Sequence, residues 1–156
     1  MGPLGIYRLS NSLQRRNFVS LAKLLRDLNF FLFKTYLPPT CEIGVDTIFG
    51  YKGMGTVIHS RSIIGQGCVI GHGVTLGTSM PYASGQVLVG PKIGDNTFVG
   101  SGAKVLGNIT VGSNCTIAAG AIVLDDIPDN SIVVGMPARI VGNNDCNYRA
   151  IVKDLE

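Results

Sequence analysis

An aliphatic residue returns at every sixth position over most of the chain between Ile58 and Pro128. Gly follows six of the ten starting positions, which are Ile58, Ile64, Ile70, Leu76, Ile93, Val99, Val105, Val111, Ile117 and Val123. A period of six matches neither the 3.6-residue repeat of an α-helix nor the alternation of a long strand. It is typical of short strands separated by turns, stacked as the coils of a parallel β-helix. We therefore predict an all-β solenoid with a short N-terminal α-helical segment.

Two irregularities interrupt this period. The hexad that begins at Phe49 is followed by a slip of three residues around Gly53. The interval between Leu76 and Ile93 is 17 instead of 6, so eleven residues protrude within segment 78–91. A loop extruded from a solenoid lies over one face, and such a face often binds ligand.

The cysteines are not arranged for catalysis. Cys68 and Cys115 occupy the inward fifth place of their hexads, while Cys41 and Cys146 flank the repeat, and no C-x-x-C spacing occurs. Free Cys in such positions is commonly a small buried hydrophobe. This pattern argues against a cysteine nucleophile and indicates a reduced, cytoplasmic protein. The N-terminal residues lack the charged and apolar regions of a secretion signal.

A different pattern occupies the stretch from Ser12 to Tyr36. Apolar residues recur there at three- and four-residue spacing, Arg and Lys lie between them, and Pro38-Pro39 follows. This predicts one amphipathic helix. We expect its apolar stripe to pack on the first β-coil or on neighbouring subunits, and the alternative is a basic helix lying on a membrane surface.

The expected divisions are a helical segment (1–37), a β-helix domain (38–142) and a C-terminal tail (143–156).

The net charge is +3, and the 13 basic residues form no long run. The charge therefore gives no reason to expect nucleic acid as a partner.

Three segments carry a resemblance to a known family: IGQGCVIGHGVTLG (64–77), IGDNTFVGSGAKVLGNI (93–109) and DIPDNSIVVGMPARIV (126–141). They resemble the hexapeptide-repeat acyltransferases, and the last looks most like the serine acetyltransferase branch and its polysaccharide-modifying relatives. The resemblance covers roughly residues 38–142. It implies a left-handed β-helix with three hexads in each triangular coil, and a homotrimer that binds acetyl-CoA between subunits.

The two histidines, His59 and His72, are the candidate catalytic residues. Acyl transfer from CoA needs a base for the attacking hydroxyl and donors for the developing oxyanion, and imidazole has a suitable pKa of about 6.5. His59 follows an inward Ile and is predicted to point outward from a strand, whereas His72 lies in a turn between glycines. We predict His59 as the base and His72 as the second choice. The alternative for each is an exposed or interface histidine without a chemical role.

The spacing of the histidines limits how they could act. They lie 13 positions apart on different hexads, so only a neighbouring subunit could bring them together. Two histidines without an acidic or thiolate cluster do not make a zinc site, and no catalytic metal is expected.

The chain departs from the family at the position of the base. The Asp-His pair of serine acetyltransferases lies about 22 residues before Val-Thr-Leu-Gly, and that position here holds Lys52 beside Tyr51. The histidine of the galactoside and maltose acetyltransferases would fall near Met80-Pro81 and is also absent. The arrangement YKGMGTVIH at 51–59 looks more like the branch found with capsule, O-antigen and exopolysaccharide enzymes.

For the acetyl-CoA site, the resemblance transfers six positions to this chain. They are the small residues Ser101, Ala103, Ala119 and Ala121, which would allow pantetheine to lie against the backbone, and the phosphate partners Lys104 and Arg139.

The resulting prediction is an acetyl-CoA-dependent O-acetyltransferase acting on a hydroxyl of a sugar or polysaccharide precursor. The alternatives within enzymes are serine O-acetylation and N-acetylation of an amino sugar. A non-catalytic β-helix scaffold or binding module is the alternative outside enzymes, because the usual family base is missing.

Overall fold

The structure is a computed structural model that describes residues 2–78 and 88–144. Two α-helices come first, α1 (Pro3–Arg15) and α2 (Val19–Phe33), and a short 3₁₀ segment spans Gly50–Gly53. The strands are β1 (Glu42–Ile43), β2 (Ile48–Phe49), β3 (Val57–Ile58), β4 (Ile63–Ile64), β5 (Val69–Ile70), β6 (Thr75–Gly77), β7 (Lys92–Ile93), β8 (Phe98–Val99), β9 (Lys104–Leu106), β10 (Thr110–Val111), β11 (Thr116–Ile117), β12 (Ile122–Val123), β13 (Ser131–Gly135) and β14 (Ala138–Asn143).

The first twelve strands wind through three parallel sheets in turn. Sheet A has the order β12-β9-β6-β3, sheet B has β1-β4-β7-β10, and sheet C has β14-β13-β11-β8-β5-β2. Each strand from β1 to β9 pairs with the strand three further along the chain, so one coil contains one strand of each sheet. This is a parallel β-helix with three faces. The hexad prediction is confirmed in this form, as three parallel sheets preceded by helices.

Side chains from both predicted inward positions fill the interior of the coils. All ten hexad starts are at most 2% exposed, and Cys68, Val74, Thr97 and Cys115 are fully buried. The antiparallel strand β14 pairs with β13 at the edge of sheet C. It closes that end of the solenoid with a hairpin instead of a further coil.

The turns between sheets B and C share a left-handed residue. Asp46, Asn96, Asn114 and Asn130 all have φ between 53° and 58° there. Asp and Asn tolerate this conformation better than other residues with a side chain, and this explains their recurrence in the sequence.

The N-terminal segment forms two helices, and the prediction of one helix over 12–36 is wrong. The break falls at Arg16 and Asn17, where Asn17 has a φ of 64° and the Phe18 N–H donates to the Leu13 carbonyl. A left-handed residue cannot continue an α-helix. The apolar spacing continues across the turn, so it did not reveal the break.

Helix α1 packs on the first coil, and α2 contacts its start, where the centroids of the Phe30 and Tyr36 rings lie 6.3 Å apart. The Tyr7 hydroxyl donates to the Cys41 carbonyl over 2.7 Å, and the Arg8 guanidinium donates to the Ile43 carbonyl over 2.6 Å. The apolar stripe of this segment was expected to pack on this coil or on neighbouring subunits. Most of the leucines of α2 are exposed in the single chain, so they do not pack on the coil, and packing on a neighbouring subunit stays a prediction. No helix within the described ranges is long and apolar enough to cross a bilayer.

The division into three segments stays a prediction. Most of the extruded loop, residues 79–87, and most of the tail, residues 145–156 with Cys146, lie outside the described residues.

Candidate active site

His72 lies at the corner where the chain passes from sheet C to sheet A, here called the C/A corner. Tyr51 is stacked before it and Ser101 after it, at the same corner of neighbouring coils. The His72 Nδ1 atom lies 3.0 Å from the Ser101 hydroxyl oxygen. The Tyr51 ring meets the imidazole edge to face, with 5.3 Å between ring centroids. The imidazole is therefore held between one aromatic ring and one hydroxyl.

The intervals between these residues in the sequence predict this stack once the length of one coil is known. Tyr51 and His72 are 21 positions apart, His72 and Ser101 are 29 apart, and Ser101 and Ala119 are 18 apart. One coil is 18 residues. The first interval is one coil with the three-residue slip, and the second is one coil with the eleven extruded residues. Counting coils in this way places all four residues at one corner.

The C/A corner is also where the resemblance places the family's base. Tyr51 and Lys52 occupy those positions, both with left-handed φ angles of 50° and 57°. The sequence shows only that His and Asp are absent from these positions, whereas the contact of Tyr51 with His72 appears only in the folded coils. The structure thus brings His72 to within one coil of the position where the resemblance places the family's catalytic base and where this chain has none.

His59 lies at the opposite edge of sheet A, at the corner leading to sheet B, here called the A/B corner. It follows β3, and its backbone N–H donates to the Leu76 carbonyl over 2.8 Å. The Arg61 backbone N–H donates to His59 Nδ1 over 3.2 Å. Partial burial, with the nearby Arg61 charge adding to it, lowers the pKa of His59. The ring is therefore neutral near pH 7.

A groove runs beside His59 across the outer face of sheet A. Its lining comes from the start of the solenoid and from β3 and β6, and consists of Tyr36, Pro38, Val57, Ile58, His59, Ser60, Thr75, Leu76, Gly77 and Thr78. Thr78 and Gly90 are at the two ends of the extruded loop, and a Cβ added to Gly90 would lie 3.0 Å from His59 Nδ1. His59 is thus next to the point where that loop leaves the solenoid.

The two histidines do not share a site within one chain. They occupy the two different corners that bound sheet A, as the spacing of 13 positions indicated. Their hydrogen bonds also make the two rings chemically different. His59 Nδ1 accepts a backbone N–H, so the neutral ring carries its proton on Nε2. His72 Nδ1 faces a hydroxyl, which can act as donor or acceptor.

The six positions assigned to acetyl-CoA separate into two groups. Ser101, Ala119, Lys104 and Arg139 are partly or fully exposed, whereas Ala103 and Ala121 are core residues at most 1% exposed. The side chains of these two alanines therefore cannot line a surface groove, and only their backbone could meet a ligand.

The outer positions are not all close together. Ser101 and Ala119 lie on the C/A corner, and a Cβ added to Gly102 or Gly120 beside them would meet nothing within 4 Å. Lys104 begins β9 in sheet A, and Arg139 lies on the edge strand β14. The open corner fits an extended ligand lying on the backbone.

The described cysteines do not suit nucleophilic catalysis. Burial raises the pKa of the Cys41 thiol to about 12 and also raises the pKa of Cys68 and Cys115. A thiol with a raised pKa is a poor nucleophile near neutral pH. Within residues 2–78 and 88–144, no group of three or more His, Cys, Asp or Glu side chains could hold a metal ion.

Comparison with known proteins identifies the repeat. Residues 90–125 match the family model described as "Bacterial transferase hexapeptide (six repeats)". This part of the three-sheet coil is therefore similar to hexapeptide-repeat transferases.

Longer stretches of the chain are similar to serine acetyltransferases. The chain is 39% identical over 71 residues to a serine acetyltransferase of Helicobacter pylori, covering 46% of this chain and 41% of the relative. A Brucella abortus serine acetyltransferase solved in complex with coenzyme A has a TM-score of 0.84 at 33% identity, over 92% of this chain and 56% of that one. A Neisseria gonorrhoeae serine acetyltransferase in complex with serine has a TM-score of 0.81 at 32% identity, over 90% and 55%. The chain thus spans little more than half the length of these solved structures.

Proposed function

We propose that this chain is an acetyl-CoA-dependent O-acetyltransferase whose active site includes the C/A corner. The observation that carries the proposal is the His72–Ser101 pair, which puts a hydrogen-bonded imidazole on the open corner beside the vacant base position. The relatives support the reaction, since they are named serine acetyltransferases and one was solved with coenzyme A. The left-handed winding and trimeric assembly implied by the resemblance belong to the same proposal.

His72 is the general base in this proposal, and the order expected from the sequence is reversed. A base needs an unprotonated nitrogen directed at the acceptor. If His72 Nδ1–H donates to the Ser101 oxygen, Nε2 has a free lone pair. His59 has the opposite arrangement, because the Arg61 N–H occupies its Nδ1 and leaves a proton on Nε2. His59 is therefore suited to donate a hydrogen bond, for example to the thioester oxygen as negative charge develops there.

A trimer gives these two roles a common site. In one chain the histidines lie on either side of sheet A, so His72 of one subunit must meet His59 of another for both to touch one substrate. Ser101, Ala119 and the open backbone beside Gly102 and Gly120 would then contact the pantetheine arm. Lys104 and Arg139 are the candidate partners for its phosphates.

Serine is the first acceptor to test, because the similar proteins are serine acetyltransferases and one was solved in complex with serine. A sugar hydroxyl is the second, and Tyr51 with Lys52 favours it. These residues put an aromatic ring and a cation at the corner where the resemblance places a carboxylate and a histidine. That pair suits a neutral, hydroxyl-rich acceptor better than one carrying an ammonium group.

The test is release of CoA from acetyl-CoA with serine, amino sugars and acceptor glycans, using wild type, His72→Ala and His59→Ala. We expect His72→Ala to lower kcat by roughly 10²–10⁴-fold with little change in acetyl-CoA affinity. Ser101→Ala should cost less, since it removes one hydrogen-bond partner of His72 and leaves the imidazole in place. Wild-type turnover in His72→Ala together with its loss in His59→Ala would restore the original order. If neither variant loses turnover, the imidazole mechanism is wrong and a non-catalytic role is favoured.

A further inference from the structure

Helix α2 presents a continuous apolar surface to solvent. Five side chains at helical spacing form this surface, here called the α2 stripe: Leu21, Leu24, Leu28, Phe31 and Leu32. They are between 43% and 71% exposed. At about 100° per residue they fall within one side of the helix. Single exposed leucines are ordinary, but a contiguous stripe of large apolar residues marks an interaction surface.

The opposite side of α2 is already occupied. Ala22 and Asn29 are buried on it, the Ser10 hydroxyl donates to the Ala22 carbonyl over 2.8 Å, and the Asn29 amide donates to the Pro3 carbonyl over 3.1 Å. These bonds fix α2 against α1, which itself packs on the first coil. The α2 stripe therefore faces away from the solenoid and cannot turn inward without breaking this packing.

The charge of the helical segment is strongly one-sided. Residues 1–37 contain six Lys or Arg and one Asp, whereas the remainder has seven basic and nine acidic residues. Cations lie at both ends of the stripe. Arg15 and Arg16 precede α2 at the turn, and the Lys34 Nζ atom lies 5.2 Å from the centre of the Phe31 ring. The single carboxylate, Asp27, pairs with Arg26 at 2.7 Å.

We infer that the α2 stripe docks on an anionic lipid surface, with α2 lying in the plane of the interface. An apolar face flanked by Lys and Arg is the arrangement that binds such surfaces, because apolar burial and attraction to anionic headgroups add together. A second copy docking through the same stripe would bring two basic segments together, and like charges oppose that contact. The inference does not depend on the proposed acetyltransferase activity.

The experiment is co-sedimentation of the whole chain with two kinds of vesicle. One contains phosphatidylcholine alone, and the other contains phosphatidylcholine with about 30% phosphatidylglycerol, an anionic lipid. We expect binding to the anionic vesicles that weakens as salt is raised. The double substitution Leu24→Glu/Phe31→Glu should abolish it. Arg15→Gln/Arg16→Gln should weaken it by roughly 5-fold for each arginine removed. The matched control is Met136→Glu, since Met136 is 71% exposed on the hairpin between β13 and β14 and should leave binding unchanged.

Two outcomes would overturn the inference. The first is that wild type stays in the supernatant with anionic vesicles. The second is that, without lipid, Leu24→Glu/Phe31→Glu lowers the mass measured by light scattering while the thermal melt shows a folded chain, because the stripe would then be covered by a second copy. Acetyl transfer to a soluble acceptor, measured on the same variants, separates failure of this inference from failure of the proposed activity.

Discussion

The substitution Gly71→Ala tests the close stacking of coils at the C/A corner. A Cβ added to Gly71 would lie 2.5 Å from the backbone nitrogen of Ser101 and 2.8 Å from its Cα. Ordinary contact begins near 3.4 Å, so the two coils would have to separate by about 0.9 Å. That movement would stretch the 2.7 Å hydrogen bond from the Gly71 N–H to the Val99 carbonyl beyond bonding distance. It would also pull Ser101 away from His72.

The expected cost combines overpacking, about 1–3 kcal/mol, with one lost hydrogen bond, about 1 kcal/mol. For a chain of this size, a loss of about 2–4 kcal/mol lowers Tm by roughly 5–15 °C. Gly50→Ala is the matched control, because Gly50 occupies the same corner one coil earlier and its added Cβ would lie 3.7 Å from the Ile70 carbonyl oxygen. It should melt within about 2 °C of wild type. Thermal melts of the three proteins at equal concentration measure this, and a Gly71→Ala melt that coincides with the control would refute the reasoning.

Ala103→Leu should destabilise the chain by about 1–3 kcal/mol in a denaturant titration, because Ala103 is fully buried in the core. Ala119→Leu, at an exposed position on the C/A corner, should leave stability unchanged and weaken acetyl-CoA binding in calorimetry; equal stability losses in the two variants would contradict this placement. The lowered pKa of His59 means that the folded chain binds a proton there less readily than the unfolded chain. Stability from this difference is fully present above about pH 6.5 and is lost as the pH falls below it. The Tm of wild type should therefore decline relative to His59→Gln between pH 7.5 and 5.5, and parallel Tm curves would show that His59 is not perturbed.

The six-residue period by itself determined the strands and most of the core. Each hexad start, and the fourth residue after it where the hexad is uninterrupted, faces inward because a short strand and a tight turn impose local geometry that repeats with the sequence. Cys68 and Cys115 could be placed in the core for the same reason. The turn residues Asn96 and Asn114 follow from the same local constraint, since the turns between sheets B and C contain a left-handed residue.

The candidate site depended on contacts between coils. Tyr51, His72 and Ser101 meet because a slip of three residues and an insertion of eleven happen to preserve the corner. The period alone does not show at which corner of the coil the extra residues leave the solenoid. The tautomer of His59 likewise depends on the backbone N–H of Arg61, a contact that exists only once the turn has formed.

The helical segment shows the same division. Its spacing of apolar residues predicted helix correctly but could not show the break at Asn17, nor which apolar side would be covered. Spacing specifies that a helix has an apolar side, whereas its exposure depends on which other elements lie against it. In this chain α1 covers one side of α2 through Ala22 and Asn29 and leaves the leucines of the α2 stripe in solvent. That arrangement is set by the tertiary structure, because burial depends on how several elements pack together, whereas the spacing of apolar residues describes a single helix.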